Sequence, residues 1–212
     1  MDIYLIRHGE SLGNKTKTYL GHTDLDLSER GYKQAECACK YILSNIEIDK
    51  IYSSDLIRAY NTVLPVSKAL NLKIETDKDL REIYAGYWEN QKYEYLMEKY
   101  KDTYNSWLTD IGNAKCDGGE SVKELQQRFM HKLEEIAISN PGKTVLIGTH
   151  ATPIRITNCT VSGLPLSEMH NIPWAYNASL THLKYANGKF ELIEYSNSSY
   201  LGELENSPSH KM

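Results

Sequence analysis

The amino-acid sequence predicts an α/β fold: a three-layer α/β/α sandwich on a mostly parallel central sheet with an antiparallel edge, carrying a helical, aromatic lid insertion. Three observations carry this expectation. Short apolar runs alternate with segments of helical period along most of the chain, the order expected of parallel strands joined by crossover helices. The run from Lys143 to Gly148 is apolar and β-branched through its middle, as a strand covered on both faces must be. Leu180–Tyr185 and Phe190–Tyr195 flank Ala186-Asn187-Gly188-Lys189 and read as a hairpin, which supplies the antiparallel edge.

Asp2 to Ile6 forms the first strand and runs into Arg7-His8-Gly9-Glu10-Ser11. Ser28 N-caps a helix whose small or apolar positions Ala35, Ala38 and Ile42, with Tyr41, recur at helical spacing as far as Ser44-Asn45. Lys50–Ser53 is the second strand. The helix after it runs through Leu56, Ala59, Val63, Val66 and Ala69, and Pro65 is expected to kink or shorten it. Leu72–Glu75 reads as the third strand. From about Leu80 to Gly119 the rhythm breaks into an aromatic, mixed-charge stretch, expected to lie as a lid over one end of the sheet. Ser121 and Glu124 form a capping box for an amphipathic helix carrying Val122, Leu125, Phe129, Leu133 and Ile136, which Pro141-Gly142 ends. The strand from Lys143 stops at Thr149-His150, and Thr152-Pro153 starts another helix as N-cap and first helical residue. The polar stretch from Ser196 to Met212 reads as a mobile tail.

A length of 212 residues fits one domain, or one with a lid, and is enough to bury a full core. The net charge of −4, without any Lys/Arg block, argues against an extended nucleic-acid surface. No apolar run approaches the length of a membrane span. The short apolar start has no basic region ahead of it, which argues against a signal peptide and for a cytoplasmic protein. Cys37, Cys39, Cys116 and Cys159 fit no zinc or redox spacing and read as reduced structural thiols.

In α/β sheets, ligands bind outside the carboxyl ends of the strands. The first strand therefore delivers Arg7 and His8 into the crevice, and the strand from Lys143 delivers His150. An arginine fork grips phosphate, and a neutral imidazole beside it can attack phosphorus. Arg58, four residues beyond Ser54 at the head of a helix, would complete a clamp. Ser11 and Asn14, in the loop after His8, are short polar groups able to donate to phosphate oxygens. Glu82 lies where the chain leaves the third strand for the insertion. Taken alone, Arg58 reads equally as a surface helix residue and Glu82 as a solvated loop carboxylate.

Together these blocks resemble the histidine phosphatase superfamily, in its phosphoglycerate-mutase-like branch. Arg7-His8-Gly9-Glu10-Ser11 with Asn14 is similar to the family's opening signature. Gly21-His22-Thr23-Asp24 through Leu27-Ser28-Glu29-Arg30-Gly31, and Ser53–Ala59 with Thr62, follow in family order. So do Leu80–Ile83 with Gly86-Tyr87-Trp88-Glu89, Gly118–Ser121, and Val145–His150 with Ile154-Arg155, so that the likeness spans residues 1 to about 185. The resemblance implies that His8 is the nucleophile that becomes phosphohistidine. Arg7, Arg58 and His150 would bind the phosphoryl oxygens, helped by Asn14. Glu82 would protonate the leaving oxygen and then deprotonate the water that releases phosphate. Ser11, Gly21, His22 and Ala151 are the further positions expected to meet substrate. Residues 1–195 would form one domain of this family, with the insertion at about 83–119 and the tail at 196–212. The expected partner is a small-molecule phosphomonoester, with no metal, cofactor, nucleic acid or membrane; the oligomeric state is open. The clustered cations are expected to keep His8 unprotonated, as a nucleophile requires. Glu10 has no expected role beyond bracing its loop or orienting a neighbour.

Ala151-Thr152 stands where the family usually has glycines, which tightens the approach to phosphate, and His22 stands where many relatives carry an aromatic residue. The paired arginines with which mutases hold a phosphoglycerate carboxylate have no counterpart, since Lys92, Lys99 and Lys101 are isolated. A phosphatase is therefore favoured over a mutase. Tyr84, Tyr87, Trp88, Tyr93, Tyr95, Tyr100, Tyr104 and Trp107 either wall a pocket for an organic group or pack the insertion against the sheet. Sugar phosphates, nucleotides and the α-ribazole phosphate hydrolysed by relatives are all open as substrates. A non-catalytic member that binds phosphorylated ligands is the alternative of a different class.

Overall fold

The computed structural model describes residues 1–205. The first half holds β1 (Asp2–Arg7), α1 (Leu12–Thr16), β2 (Thr18–Tyr19), α2 (Glu29–Asn45), β3 (Lys50–Ser54), α3 (Ile57–Leu70) and β4 (Ile74–Asp77). The insertion brings β5 (Gln91–Lys92), α4 (Tyr93–Lys99) and α5 (Lys101–Thr109). The chain then returns through α6 (Val122–Ser139), β6 (Thr144–Thr149), α7 (Ala151–Val161), β7 (Leu180–Ala186) and β8 (Lys189–Asn197). No helix among the described residues is long and apolar enough to cross a membrane.

The main sheet has the order β4-β3-β6-β1-β7-β8. Its first four strands are parallel, and the β7–β8 hairpin returns antiparallel beside β1. Strand alternation splits the core into two layers. Ile3, Leu5, Val145 and Ile147 face one cluster with Phe129 of α6 and Ile154 of α7, while Ile6, Ile51 and Leu146 face another with Ala38, Ile42 and Val63 of α2 and α3. The expected three-layer sandwich with an antiparallel edge is the fold observed.

The local signals mostly hold. Ser28 caps α2 by accepting from the Gly31 N–H, and Ser121 and Glu124 form the reciprocal box at the head of α6. Four expectations need correction. The third strand is β4 at Ile74–Asp77, two residues later than expected. Pro65 does not shorten α3, which continues to Leu70 because buried Val63 and Val66 hold both sides of the proline against the sheet. The last crossover helix starts at Ala151 with His150 as N-cap. Its Pro153 sits in the first turn, where N–H groups lack intrahelical acceptors anyway, so the proline could not fix the start to one residue. The tail is corrected for the part described. Ser196 and Asn197 end β8, and Arg30 of α2 donates to the carbonyls of Glu203, Leu204 and Glu205, which ties this segment down. Residues 206–212 lie outside the described residues.

Most aromatics of the insertion serve packing. Trp88, Tyr93, Tyr104 and Trp107 are buried and meet edge-to-face around Tyr19, continuous with the Phe129 layer of the core. Tyr84, Tyr87 and Tyr95 are exposed.

The loop after β1 is pressed onto the head of α2. A Cβ on Gly31 would lie 2.1 Å from the Glu10 carbonyl oxygen, and one on Gly9 would lie 2.6 Å from the Gly31 carbonyl oxygen. Glu10 is the brace: its carbonyl accepts from the Ser28 N–H, its carboxylate from the Ser28 hydroxyl, and its N–H donates to Gln34 Oε1. Gln34 Nε2 in turn donates to the Leu204 carbonyl at 2.8 Å. Because backbone opposes backbone here, Gly31→Ala should cost about 1–3 kcal/mol. Urea unfolding would measure that loss; an unchanged midpoint would contradict the close approach.

Candidate active site

β1 and β6 are central neighbours paired in parallel, with Arg7 opposite Thr149. Residues 8 and 150 therefore leave the sheet side by side. The His8 N–H still donates to the Thr149 carbonyl at 2.9 Å, and the two imidazole centroids lie 5.2 Å apart. The Asn177 amide donates to the His8 carbonyl at 3.0 Å, and the Gly9 N–H to the Thr62 hydroxyl at 2.9 Å, so the turn is held from both sides.

The His8 ring is fixed in a definite tautomer. Its Nδ1 lies 2.7 Å from the Gly9 carbonyl oxygen, which can only accept. Nδ1 therefore carries the hydrogen and Nε2 carries the lone pair. Burial holds His8 well below the usual histidine range, with Arg58 and then Arg7 adding to the effect. The expected cationic influence is present, but desolvation leads it. His150 is held low in the same way, by burial first and then Arg58. Its Nε2 lies 2.9 Å from the Ser54 hydroxyl, and its buried Nδ1 has no hydrogen-bond partner among the described residues.

Both arginines are buried and aimed by backbone carbonyls. Arg7 donates to the Ala175 carbonyl at 2.5 Å, and Arg58 to the carbonyls of Gly21 at 2.8 Å and Thr23 at 3.0 Å. Burial lowers each to about 10 while Glu82 pulls the other way, so both remain cations at neutral pH. Gly21 adopts φ +51°, and a Cβ there would lie 2.4 Å from the Glu89 carboxylate. Glycine is required on both counts.

Glu82 sits in a stapled loop. Its carboxylate accepts from the Ile83 N–H at 2.9 Å and from the Thr152 N–H in the first turn of α7 at 3.3 Å. Arg128 of α6 pairs with Glu120 and donates to the carbonyls of Asp79, Arg81 and Glu82, while Arg81 forks onto Asp55 with both contacts at 2.6 Å.

A cleft enclosing about 410 Å³ joins these groups. Arg7, His8, Arg58 and Glu82 line it together with Ser11, Asn14, Gly21 and Ala151, as expected from sequence. Ser11 and Asn14 also form the capping box of α1, with Asn14 Oδ1 taken by the Ser11 N–H and Asn177. His150 lies behind His8 and is fully buried rather than lining the cleft. His22 is not brought into the cleft. After the turn at Gly21 its N–H is held by Glu89, and its ring packs beside Tyr84 with Nε2 donating to the Glu82 carbonyl. Of the eight insertion aromatics, Tyr93 alone lines the cleft, next to Tyr19 and Thr18.

Arg128, Asn177 and Tyr19 escaped sequence reasoning. Arg128 acts on backbone carbonyls from the polar face of a helix, and Asn177 lies in an irregular approach to β7, so neither leaves a pattern of spacing. Tyr19 lies two residues before the turn at Gly21, and that glycine is the one sequence signal near it.

Comparison with known proteins gives the family and the fold. The profile of the histidine phosphatase superfamily (branch 1) matches residues 3–198. Phosphoserine phosphatase 1 of Hydrogenobacter thermophilus is 33% identical over 205 residues, covering 95% of both chains. Among solved structures, Bacillus stearothermophilus YhfR superposes with a TM-score of 0.90 at 26% identity, covering 94% of this chain and 98% of that one. The mycobacterial glucosyl-3-phosphoglycerate phosphatase solved with VO3 gives 0.85 at 26%, covering 93% and 99%.

The two depressed histidines make stability depend on pH. An unfolded histidine titrates near ~6.5. As pH falls below that value the unfolded chain takes up protons that folded His8 and His150 refuse, so stability is lost. Each contributes a slope of up to about 1.4 kcal/mol per pH unit. Urea titrations between pH 7.5 and 5.5 should show a shallower acid-side loss in His150→Gln than in the parent chain; parallel slopes would contradict the burial.

Proposed function

The chain belongs to branch 1 of the histidine phosphatase superfamily, and we propose that it hydrolyses a small phosphomonoester through a phosphohistidine formed on His8. The observation that carries this reading is the His8 ring, whose Nδ1–H is tied to the Gly9 carbonyl, leaving a neutral Nε2 lone pair in a cleft that two buried guanidiniums also line.

The phosphoryl group sits between Arg7 and Arg58, whose charges offset the dianion and the charge that spreads over its oxygens in a loose transition state. His8 Nε2 attacks phosphorus as the ester P–O bond breaks, and Glu82 gives its proton to the leaving oxygen, releasing an alcohol. The Nδ1–H stays on the Gly9 carbonyl and supports the positive charge that the ring gains. Glu82, now a carboxylate, takes a proton from water as the water oxygen attacks phosphorus. The P–N bond breaks, its electron pair returns to Nε2, and orthophosphate leaves. His150 supports the site from behind the His8 ring, its Nε2 2.9 Å from the Ser54 hydroxyl and its ring held neutral by burial and Arg58. Two guanidiniums supply the charge neutralisation, so no step requires a metal ion.

Hydrolysis is favoured over mutase transfer. Beyond the phosphate clamp the cleft is lined by Thr18, Tyr19, Leu20, Tyr93 and Thr152, and among the described residues no further Lys or Arg lines it to hold a phosphoglycerate carboxylate. Relatives named for phosphoserine, glucosyl-3-phosphoglycerate and α-ribazole phosphate put all three on the substrate panel.

p-Nitrophenyl phosphate should be turned over with EDTA present, and His8→Ala should abolish turnover. Glu82→Gln should slow alkyl esters such as phosphoserine by about 10²–10⁴. Its effect on p-nitrophenyl phosphate should be smaller, because that leaving group needs little protonation. An acid-labile, alkali-stable phosphoenzyme should form with the parent chain; label that persists in His8→Ala would sink the mechanism. Silence across the whole panel would favour a phospho-ligand binding protein.

A further inference from the structure

A second cavity lies outside the catalytic cleft, between α5, α7 and the irregular chain before β7. It encloses about 860 Å³ including its open mouth. Trp107 and Leu108 of α5, Arg155 of α7, and Ile172, Pro173 and Trp174 form its walls.

Arg155 is the unusual member. It is 3% exposed, yet no ion pair among the described residues reaches it. One Nη donates to the Met169 carbonyl at 2.7 Å, the guanidinium lies 4.0 Å from the Trp174 ring centroid, and the buried Nε finds no acceptor. Burial lowers its pKa to about 10, which leaves it charged at neutral pH. The indole Nε1–H of Trp107, another wall of the cavity, is also buried without an acceptor. A buried charge without a counter-ion and two orphaned donors are costly, and native chains keep few of either. One ligand chemistry satisfies all three: a carboxylate, which accepts from an arginine fork and from an indole N–H. The two indoles, 6.5 Å apart, with Leu108, Ile172 and Pro173, provide apolar surface for the rest of such a molecule.

We propose that this cavity is a binding site for a small organic carboxylate with a flat apolar body, held by Arg155 and stacked against Trp174. It is separate from the phosphate clamp, although Ala175 joins the two: its neighbour Trp174 walls the cavity while its carbonyl holds Arg7.

Benzoate is a suitable probe and benzamide its uncharged control, both titrated against tryptophan fluorescence of the full chain at pH 7.5. Benzoate should quench saturably and bind about tenfold or more tighter than benzamide. Arg155→Gln should weaken benzoate by a similar factor. Because a buried arginine is risky to replace, Leu108→Glu provides an independent arm: Leu108 is 45% exposed, and a carboxylate at the mouth should repel benzoate without disturbing the core. Inhibition of p-nitrophenyl phosphate hydrolysis, run in parallel, reports any benzoate in the catalytic cleft. Equal affinity for benzamide, or benzoate binding that survives Leu108→Glu, would overturn the proposal. So would quenching that follows competitive inhibition of turnover, which would put the carboxylate on Arg7 and Arg58.

Discussion

Parallel pairing of β1 with β6 sets the geometry on which the rest of the site depends. Two strands from opposite ends of the chain stop at the same level, and each hands over to a histidine. The continued bond from the His8 N–H to the Thr149 carbonyl means that the sheet ladder itself sets the spacing of the imidazoles. A slip of one residue would turn the side chains of one strand to the opposite layer. Since Ile3, Leu5 and Ile6 are wholly buried between two apolar layers, that slip is strongly opposed by the core. The energetics of packing thus fix the separation of the two imidazoles.

The same burial creates an electrostatic imbalance. Arg7 and Arg58 are enclosed with Glu82 as the nearby carboxylate, and both histidines are kept neutral. Both guanidiniums are held in a poorly solvated place at a cost in burial, and a bound anion would offset that cost. Anion binding should therefore be coupled to fold stability through simple mass action. The carbonyls of Gly21, Thr23 and Ala175 matter because they aim the guanidiniums without neutralising them.

Much of this was legible from local signals. Strand ends, capping boxes and the residues at Arg7, His8, Arg58, Glu82 and His150 are short-range patterns, and four of those five side chains line one cleft, with His150 directly behind. What stayed hidden depends on tertiary contacts. The insertion's tyrosines and tryptophans look the same in sequence whether they wall a pocket or fill a core, and Tyr19 decides the matter for Trp88, Tyr93 and Trp107 by meeting them edge-to-face. The resemblance expects His22 at the substrate, but the left-handed turn at Gly21 and the Glu89 carboxylate direct it away from the cleft. The segment after Ser196 looked like a solvated tail because its anchoring bonds are made by its backbone, which composition does not register.

Gln34 has a consequence for where the chain can be cut. Its amide faces two ways: the oxygen receives the Glu10 N–H beside the His8 turn, and the nitrogen is committed to the Leu204 carbonyl. The far segment thereby selects which end of the amide meets the loop. A protein trimmed at residue 198, where the family match stops, would lose that selection and the arginine bonds beside it. Cloning boundaries drawn from the family match would then report on a loosened loop rather than on the native one.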